Sequence, residues 1–134
     1  MICLDTNVVI AVLNDPKSLI RVRMNAAIRA GQIIAISSVV LFELRYGAAK
    51  SARPERNAQR IVDFLSGPIE VLSFEPEDAD EAGEIRAALE RQGTPIGPYD
   101  VLIAAQARRR SAPLMTANVR EFARVPRLTL EDWS

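Results

Sequence analysis

The sequence predicts a single three-layer α/β/α domain over residues 1–134, with a central parallel sheet. Short runs rich in β-branched and aliphatic residues, beginning with Met1–Leu4, alternate along the chain with segments whose apolar residues recur at helical spacing. Strands that are separated by helices pair in parallel, and the helices then cover both faces of the sheet. No internal repeat or linker divides the chain, which is long enough to bury a core without disulfides.

In the first half of the chain, four helical patterns surround one further strand. The helices are predicted over residues 6–14, 18–30, 39–50 and from 54 to a stop at 67–68, and the strand over residues 32–37. The ends carry the usual signals, because Gly31 follows the second helix, Ser37 and Ser38 are suited to cap the third, and Pro54 is suited to the first position of the fourth.

The second half continues the alternation with shorter elements. The predicted order is a strand over residues 69–74, a helix over 76–92, a rigid loop over 94–99, an apolar helix over 100–107, a strand at 114–115, a short helix around 119–125 and a strand over 127–130. Gly93 ends the long helix, whose first turns are acidic and therefore suit the helix dipole.

The composition indicates a globular protein of a reducing compartment. Hydrophobic residues make up 49% and charged residues 25% of the chain, which excludes a disordered or fibrous class. The single cysteine, Cys3, cannot form an internal disulfide. No signal peptide is evident, and the apolar stretch IIAISSVVLF is shorter than the roughly 20 residues of a membrane helix. We therefore expect a soluble cytoplasmic protein.

The basic residues favour an anionic partner, although the formal net charge is zero. All but two of the 17 basic residues are arginines, whose planar guanidinium suits bidentate contact with phosphate. Most of these arginines occur in two groups: Arg45, Arg53, Arg56 and Arg60, and Arg108, Arg109, Arg110, Arg120, Arg124 and Arg127. A solvated surface explains any single arginine equally well, so the grouping alone is weak support.

Asp5 follows the first strand directly, and two interpretations of it are open. Aspartate is a favoured N-cap, so Asp5 can simply cap the helix that follows. In open parallel sheets, however, ligands bind outside the carboxyl ends of the strands, where Asp5 is placed. The other acidic residues decide between these interpretations.

Glu43 and Asp100 are predicted on semi-buried helices. The helical neighbours of Glu43 are apolar or small apart from the hydroxyl of Tyr46, so its carboxylate coordinates a cation, pairs with an arginine or reaches solvent at the edge of the sheet. Asp100 is the third helical residue if Pro98 is the first, a position that suits a carboxylate. Because the rest of that helix is apolar on every side, its N-terminus is expected to open into the same crevice as Asp5.

Asn118 and Glu121 follow the strand at 114–115, in the position that Asp5 occupies after the first strand. Asn118 is also a suitable N-cap for the short helix, and Thr6 and Thr116 have ordinary capping roles.

Three carboxylates and an amide form a set of hard oxygen donors, which selects Mg²⁺ or Mn²⁺ rather than zinc or copper. The chain contains no histidine, which excludes the usual serine and cysteine triads and histidine-based acid–base chemistry. No glycine-rich loop follows the first strand, where a nucleotide-binding fold requires one. The chemistry that remains for a metal site of carboxylates is metal-assisted phosphoryl transfer or hydrolysis.

Four separated motifs resemble those of PIN-domain ribonucleases, and more narrowly those of the VapC toxins of bacterial VapBC toxin–antitoxin pairs. In chain order they are LDTNVVIAVL, SSVVLFELRYGA, GTPIGPYDVLIAAQA and LMTANVREFARVPRLTLEDW, and together they cover essentially the whole chain. The resemblance implies a metal-dependent endoribonuclease, a VapB-type antitoxin that inhibits it with a C-terminal segment, and a homodimer that sometimes assembles further.

Carried over by the same motifs, the family's acidic residues fall on Asp5, Glu43 and Asp100. Its fourth position, often aspartate, falls on Asn118, which leaves the number of metal ions open, and Glu121 is a candidate to compensate. Asp5, Asp100 and Glu43 are then expected to hold Mg²⁺ or Mn²⁺. Further residues are expected to support the site. Those near the metal are Thr6, Asn7, Thr116 and Glu121, and those expected to contact the RNA backbone are Arg108, Arg120 and Arg124.

The hypothesis is therefore cleavage of RNA by in-line attack of metal-activated water. The alternative is a catalytically silent module that keeps the fold and binds RNA or protein. A phosphatase of the same fold class is disfavoured, because neither lysine lies late in the chain. The sequence names neither the RNA nor the antitoxin.

Overall fold

The computed structural model describes residues 1–134 and confirms the three-layer α/β/α fold with a parallel sheet. The strands are β1 (Ile2–Leu4), β2 (Ile34–Ser37), β3 (Ile69–Leu72), β4 (Leu114–Met115) and β5 (Leu130–Glu131). The helices are α1 (Thr6–Asn14), α2 (Leu19–Arg29), α3 (Ser38–Ala49), α4 (Pro54–Leu65), α5 (Pro76–Arg91), α6 (Pro98–Arg109) and α7 (Val119–Phe122).

The helix boundaries that the sequence predicts from capping residues are largely confirmed. Ser18 accepts a hydrogen bond from the backbone N–H of Arg21, and Ser37 accepts one from Val39. Gly31 and Gly93, which follow α2 and α5, adopt φ angles of 90° and 70°, a conformation that glycine reaches without steric penalty.

Two predicted boundaries near the C-terminus are wrong. The apolar helix begins at Pro98 and continues to Arg109, since proline fits the first helical position and the arginines find partners on α5. The last strand comprises Leu130–Glu131 rather than residues 127–130. Arg127 has a φ of 62°, which a strand does not accommodate, and the register places Leu130 opposite Leu114.

The order of the strands, β3-β2-β1-β4-β5, places the first strand at the centre. The chain adds β2 and β3 on one side of β1 and later β4 and β5 on the other. Every residue of β1, β2 and β4 is buried, so these three strands form the floor of the hydrophobic core. In a parallel sheet the connections diverge where the strand order reverses, and the crevice there opens at the carboxyl ends of β1 and β4.

Helices α5 and α6 pack side by side and are joined by buried ion pairs. The carboxylate of Asp78, which is fully buried, accepts hydrogen bonds from Arg109 and Arg110. Its second oxygen accepts the backbone N–H of Glu75, which closes the capping box at the start of α5. Desolvation acts to raise the pKa of Asp78, but these hydrogen bonds outweigh it and hold the pKa below its ordinary value.

None of the seven helices has the length and apolar character that crossing a lipid bilayer requires.

Candidate active site

Asp5 lies at the end of the central strand and both caps α1 and faces the crevice. Its backbone N–H donates to the carbonyl of Met115, the last residue of β4, which continues the pairing of the two strands one residue past the end of β1. Only 4% of the residue is exposed. The side chain accepts hydrogen bonds from the backbone N–H of Thr6 at 2.8 Å and from the hydroxyl of Thr116 at 2.9 Å. The capping interpretation and the site interpretation are therefore compatible.

The crevice raises the pKa of Asp5 above its ordinary value. Burial is the largest cause, and the charges of Glu43 and Glu121 add to it, against the hydrogen bonds from Thr116 and Thr6 that lower the pKa. Asp5 is in no ion pair with a basic side chain of the protein.

Glu43 projects from α3 toward the same crevice and is held by Thr6. The hydroxyl of Thr6 donates to the carboxylate of Glu43 at 2.8 Å, while the backbone N–H of Thr6 donates to Asp5. One threonine at the start of α1 therefore fixes two acidic side chains that are 38 residues apart in the sequence. The expectation that Glu43 pairs with an arginine is wrong, since its partner is this hydroxyl.

Asp100 is the third residue of α6, as expected from Pro98 at the first position. It is partly buried, and no hydrogen-bond donor is among the groups that shift its pKa. Burial, followed by repulsion from Asp5, Glu121 and Glu43, raises the pKa of Asp100 to about 6. The first turn of α6 therefore places Asp100 close enough to the other three acids for their charges to raise its pKa.

Asn118 precedes α7, but its side chain does not cap that helix. Its amide instead donates to the carboxylate of Glu121 at 2.6 Å, and its backbone N–H donates to the hydroxyl of Thr116 at 2.9 Å. Glu121 also accepts the backbone N–H of Gly97 at 3.2 Å, which ties α7 to the start of α6. Asn118 is therefore the N-cap residue of α7, as expected, but without a capping hydrogen bond from its side chain.

A cavity of about 650 Å³ contains most of the predicted site. Its polar lining consists of Asp5, Thr6, Asn7, Glu43, Asp100, Asn118 and Lys50. Its other wall contains Phe42, Tyr46 and Tyr99, which are 50%, 58% and 47% exposed. The rings of Phe42 and Tyr99 meet edge to face at 5.5 Å, and the ammonium of Lys50 lies 4.7 Å from the centre of the Tyr46 ring.

The aromatic wall was missed by reasoning from the sequence. Phe42 directly precedes Glu43, and Tyr99 directly precedes Asp100. This adjacency of an aromatic residue to each of two acids is the feature of the sequence that could have predicted the wall. Its meaning depends on the packing of α3 against α6, which brings the two rings together.

The donor set fits a hard divalent cation that keeps part of its water shell. No group of three or more His, Cys, Asp or Glu side chains is arranged to ligate one ion. Mg²⁺, however, is commonly held by one or two carboxylates together with waters and substrate phosphates. Asp5 and Asp100 repel each other in a partly buried crevice and neither is in an ion pair, an arrangement that a bound cation stabilises.

The arginines predicted to contact the RNA backbone have different environments. The prediction for Arg108 is wrong, because its guanidinium is buried and donates to Glu81, Glu84 and the carbonyl of Pro126. Arg120 and Arg124 are exposed, and Arg124 donates to the carbonyl of Pro95 at 3.0 Å. A role for these two in RNA binding stays a prediction.

Comparison with known proteins identifies the family. The PIN domain model matches residues 2–128. The tRNA(fMet)-specific endonuclease VapC of Shigella flexneri is 47% identical over 131 residues, which cover 98% of this chain and 96% of that protein. Chains in crystal structures of DNA-bound VapBC2 from Rickettsia felis and DNA-bound VapBC from Salmonella typhimurium superpose with TM-scores of 0.94 and 0.91 at 38% and 43% identity. The superposition with the Rickettsia felis chain covers 100% of both chains. That with the Salmonella typhimurium chain covers 99% of this chain and 98% of the other. The chain belongs to the PIN-domain family and, within it, to the VapC ribonucleases.

Proposed function

We propose that this chain is a Mg²⁺- or Mn²⁺-dependent endoribonuclease that acts as the toxin of a type II toxin–antitoxin pair. The observation that carries the proposal is the group of neighbouring acids Asp5, Glu43, Asp100 and Glu121 at the carboxyl edge of the sheet, none of which is in an ion pair. Neighbouring unpaired acids in a partly buried crevice lower the stability of the fold, but they provide the negative charge that binds a metal ion.

Each residue of the site has a proposed task. Asp5, oriented by Thr6 and Thr116, and Asp100 at the start of α6 hold the ion. Glu43, which Thr6 positions at the cavity, orients the attacking water or a second ion. The amide of Asn118, supported by Glu121, supplies a further polar contact at the cavity. Asn7 lines the cavity beside Asp5.

The metal, when bound, supplies a nucleophile at neutral pH and neutralises charge that develops on the phosphate. The aromatic wall supports a nucleic-acid substrate, because unpaired bases stack on exposed aromatic rings. Phe42, Tyr46 and Tyr99 offer such a surface in the cavity that contains the acids. A scissile phosphate next to the acids would place a neighbouring base on this wall.

Cleavage of a mixed cellular RNA pool by the purified, antitoxin-free chain tests the proposal. We expect discrete fragments with Mg²⁺ or Mn²⁺ and none with EDTA. Fragments that persist in EDTA would contradict the metal requirement. Neither cleavage nor metal binding would instead favour a catalytically silent module that binds RNA or protein.

Metal affinity should depend on pH through Asp100. Only the ionised carboxylate is a good ligand for a hard cation, and the pKa of Asp100 is raised to about 6. Mn²⁺ affinity measured by calorimetry between pH 5 and pH 8 is expected to rise through about pH 6 and then to level off. The same titration of Asp100→Asn should lack this step, whereas equal pH profiles for the two proteins would contradict the assignment.

The hydroxyl of Thr116 should lower the pKa of Asp5 and so favour metal binding by its carboxylate. Thr116→Val keeps the size of the side chain but removes the donor at 2.9 Å from Asp5, which raises the pKa of that carboxyl further. Because loss of a hydrogen bond to a ligand typically costs about 10- to 100-fold in metal affinity or activity, we expect a fall in this range at pH 7. Thr116→Ser retains the hydroxyl and should stay near the wild-type affinity.

The proposed protein partners are a VapB-type antitoxin and a second copy of the chain. The Rickettsia felis and Salmonella typhimurium relatives were both solved as VapBC complexes, which supports an antitoxin partner here. A basic side chain of its C-terminal segment would find the uncompensated acids of the cavity. Exposed Leu19 and Val22, neighbours on α2, are apolar surface available to an assembly. Light scattering of the toxin alone and of the complex tests for a homodimer and for higher assembly.

A further inference from the structure

The acidic cavity by itself repels RNA. Asp5, Glu43 and Asp100 line it, and its lining contains one cation, Lys50. The formal net charge of the whole chain is zero, so no general excess of positive charge offsets this repulsion. Nucleic acids bind mainly to basic side chains that neutralise their phosphates. Such basic side chains must therefore be grouped at a site outside the cavity.

Many of the arginines are already used within the fold. Arg108, Arg109 and Arg110 pair with acids of α5, and Arg127 and Arg86 are also in ion pairs. A guanidinium that is bound to a carboxylate adds little to the attraction of a phosphate. The three consecutive arginines at residues 108–110 are therefore not the surface that attracts RNA.

Three of the arginines that are in no ion pair lie together at the start of α4. Arg53, Arg56 and Arg60 line one surface cavity of about 310 Å³ together with Ala52 and Asn57. Their spacing of three and four residues places them next to one another on the helix. None of the three is in an ion pair, and Glu55, which is exposed in the same turn, neutralises none of them.

This placement is unfavourable for the isolated helix. Arg53 is the N-cap of α4, and Arg56 lies in its first turn. Cations at the N-terminus of a helix oppose the helix dipole, and neighbouring cations repel each other. An anion bound among the three guanidiniums would reverse both effects.

The α4 arginine cluster, Arg53, Arg56 and Arg60, is connected to the acidic cavity. Arg60 and Asn57 also line a cavity of about 220 Å³ between α1, α3 and α4. That cavity shares Ile10, Glu43 and Gly47 with the acidic cavity. Three neighbouring cavities with shared lining residues therefore form a depression that extends from the acids along α3 to the arginines.

We propose that the α4 arginine cluster binds phosphates of the RNA strand that flank the scissile phosphate in the acidic cavity. The inference rests on the proposed ribonuclease function and adds where the substrate backbone is held. The planar forks of three arginines suit phosphate oxygens, and their position at the end of the depression keeps them away from the reacting atoms. Arg53, Arg56 and Arg60 are thus positioning residues for the substrate.

RNA binding without cleavage tests the proposal independently of the nuclease. In an Asp5→Asn background, affinity for a labelled 20-nucleotide single-stranded RNA is measured over a range of salt concentrations. The triple variant Arg53→Gln/Arg56→Gln/Arg60→Gln should bind at least about 10-fold more weakly, and its slope of log affinity against log salt should fall by about 2, given about 0.7 per phosphate contact. The matched control Lys17→Gln/Arg29→Gln/Arg91→Gln removes the same charge from exposed sites elsewhere.

Three results would overturn the inference. Equal loss of affinity in the two triple variants would mean that only net charge matters. An unchanged salt slope in the cluster variant would mean that no phosphates are bound there. Unchanged RNA affinity with lost inhibition by the antitoxin would assign the cluster to the protein partner.

Cleavage by the variants with Asp5 intact separates this inference from the proposed function. We expect the cluster variant to raise KM with kcat nearly unchanged, because the arginines do not contact the reacting atoms. Absence of cleavage by the wild-type chain would refute the proposed function, while the binding measurement would still decide whether the cluster holds RNA.

Discussion

Asp5→Asn and Asp100→Asn are each expected to abolish metal-dependent RNA cleavage while the chain stays folded. At residue 5, asparagine keeps the shape of the side chain and one acceptor oxygen for the backbone N–H of Thr6, and its amide N–H can donate to the hydroxyl oxygen of Thr116. It removes the negative charge that attracts the ion. Removal of a group at the centre of the reaction commonly lowers the rate by about 10³-fold or more, so cleavage should fall below detection in ordinary assays.

The folded state should not suffer from these substitutions. The pKa of Asp100 is raised from 3.8 to about 6, so the folded chain binds this proton more tightly than the unfolded chain does. Its stability therefore falls as the pH rises from about 4 to about 6 and stays lower above that range. Asp100→Asn removes this loss, and we expect a melting temperature at pH 7 equal to or a few degrees above that of the wild type.

Cleavage and thermal melting measured on the same preparations check this pair of expectations. Asp80→Asn, on the exposed side of α5, is the matched control and should change neither quantity. Full cleavage by both Asp5→Asn and Asp100→Asn would sink the assignment of the site. A large drop in melting temperature for either variant would mean that the acids are structural.

Asp78→Asn is expected to destabilise the fold more than any substitution in the site. Asp78 is fully buried and joins Arg109, Arg110 and the backbone N–H of Glu75. Asparagine leaves both arginines without a countercharge. Breaking a buried pair costs about 3–5 kcal/mol, and we expect about 3 kcal/mol of lost unfolding free energy, since Arg109 and Arg110 are partly exposed and can turn toward water.

The acid sensitivity of the two proteins should differ as well. The pKa of Asp78 is lower in the folded chain than its ordinary value of 3.8. The stability from this carboxylate is therefore fully present above about pH 4 and is lost as the pH falls through the folded pKa. Denaturant unfolding at pH 7 and at pH 3 measures this, and the gap between wild type and Asp78→Asn should narrow at the lower pH. A constant gap would show that the loss at pH 7 does not come from the charge, and Asp80→Asn again serves as the control.

Local rules in the sequence determined the elements and the donor set. Capping serines, helix-stopping glycines and helix-starting prolines act on neighbours within about four residues, so they are readable without the fold. The same range places Asp5 directly after a strand and Asp100 in the first turn of a helix. The absence of histidine restricts the chemistry to oxygen donors whatever the packing is.

The tertiary structure alone decided which distant groups meet. Arg108, Arg109 and Arg110 are consecutive, yet Arg109 and Arg110 share Asp78 while Arg108 pairs with other acids of α5. The packing of α5 against α6 sets which acid each side chain faces. The partner of Glu43 is Thr6, and Glu121 of α7 accepts the backbone N–H of Gly97 at the start of α6. Likewise, the connection from the acids to the arginines of α4 exists only because α1, α3 and α4 enclose one cavity. Pairing across tens of residues depends on which faces of the elements pack together, and no short-range pattern encodes that.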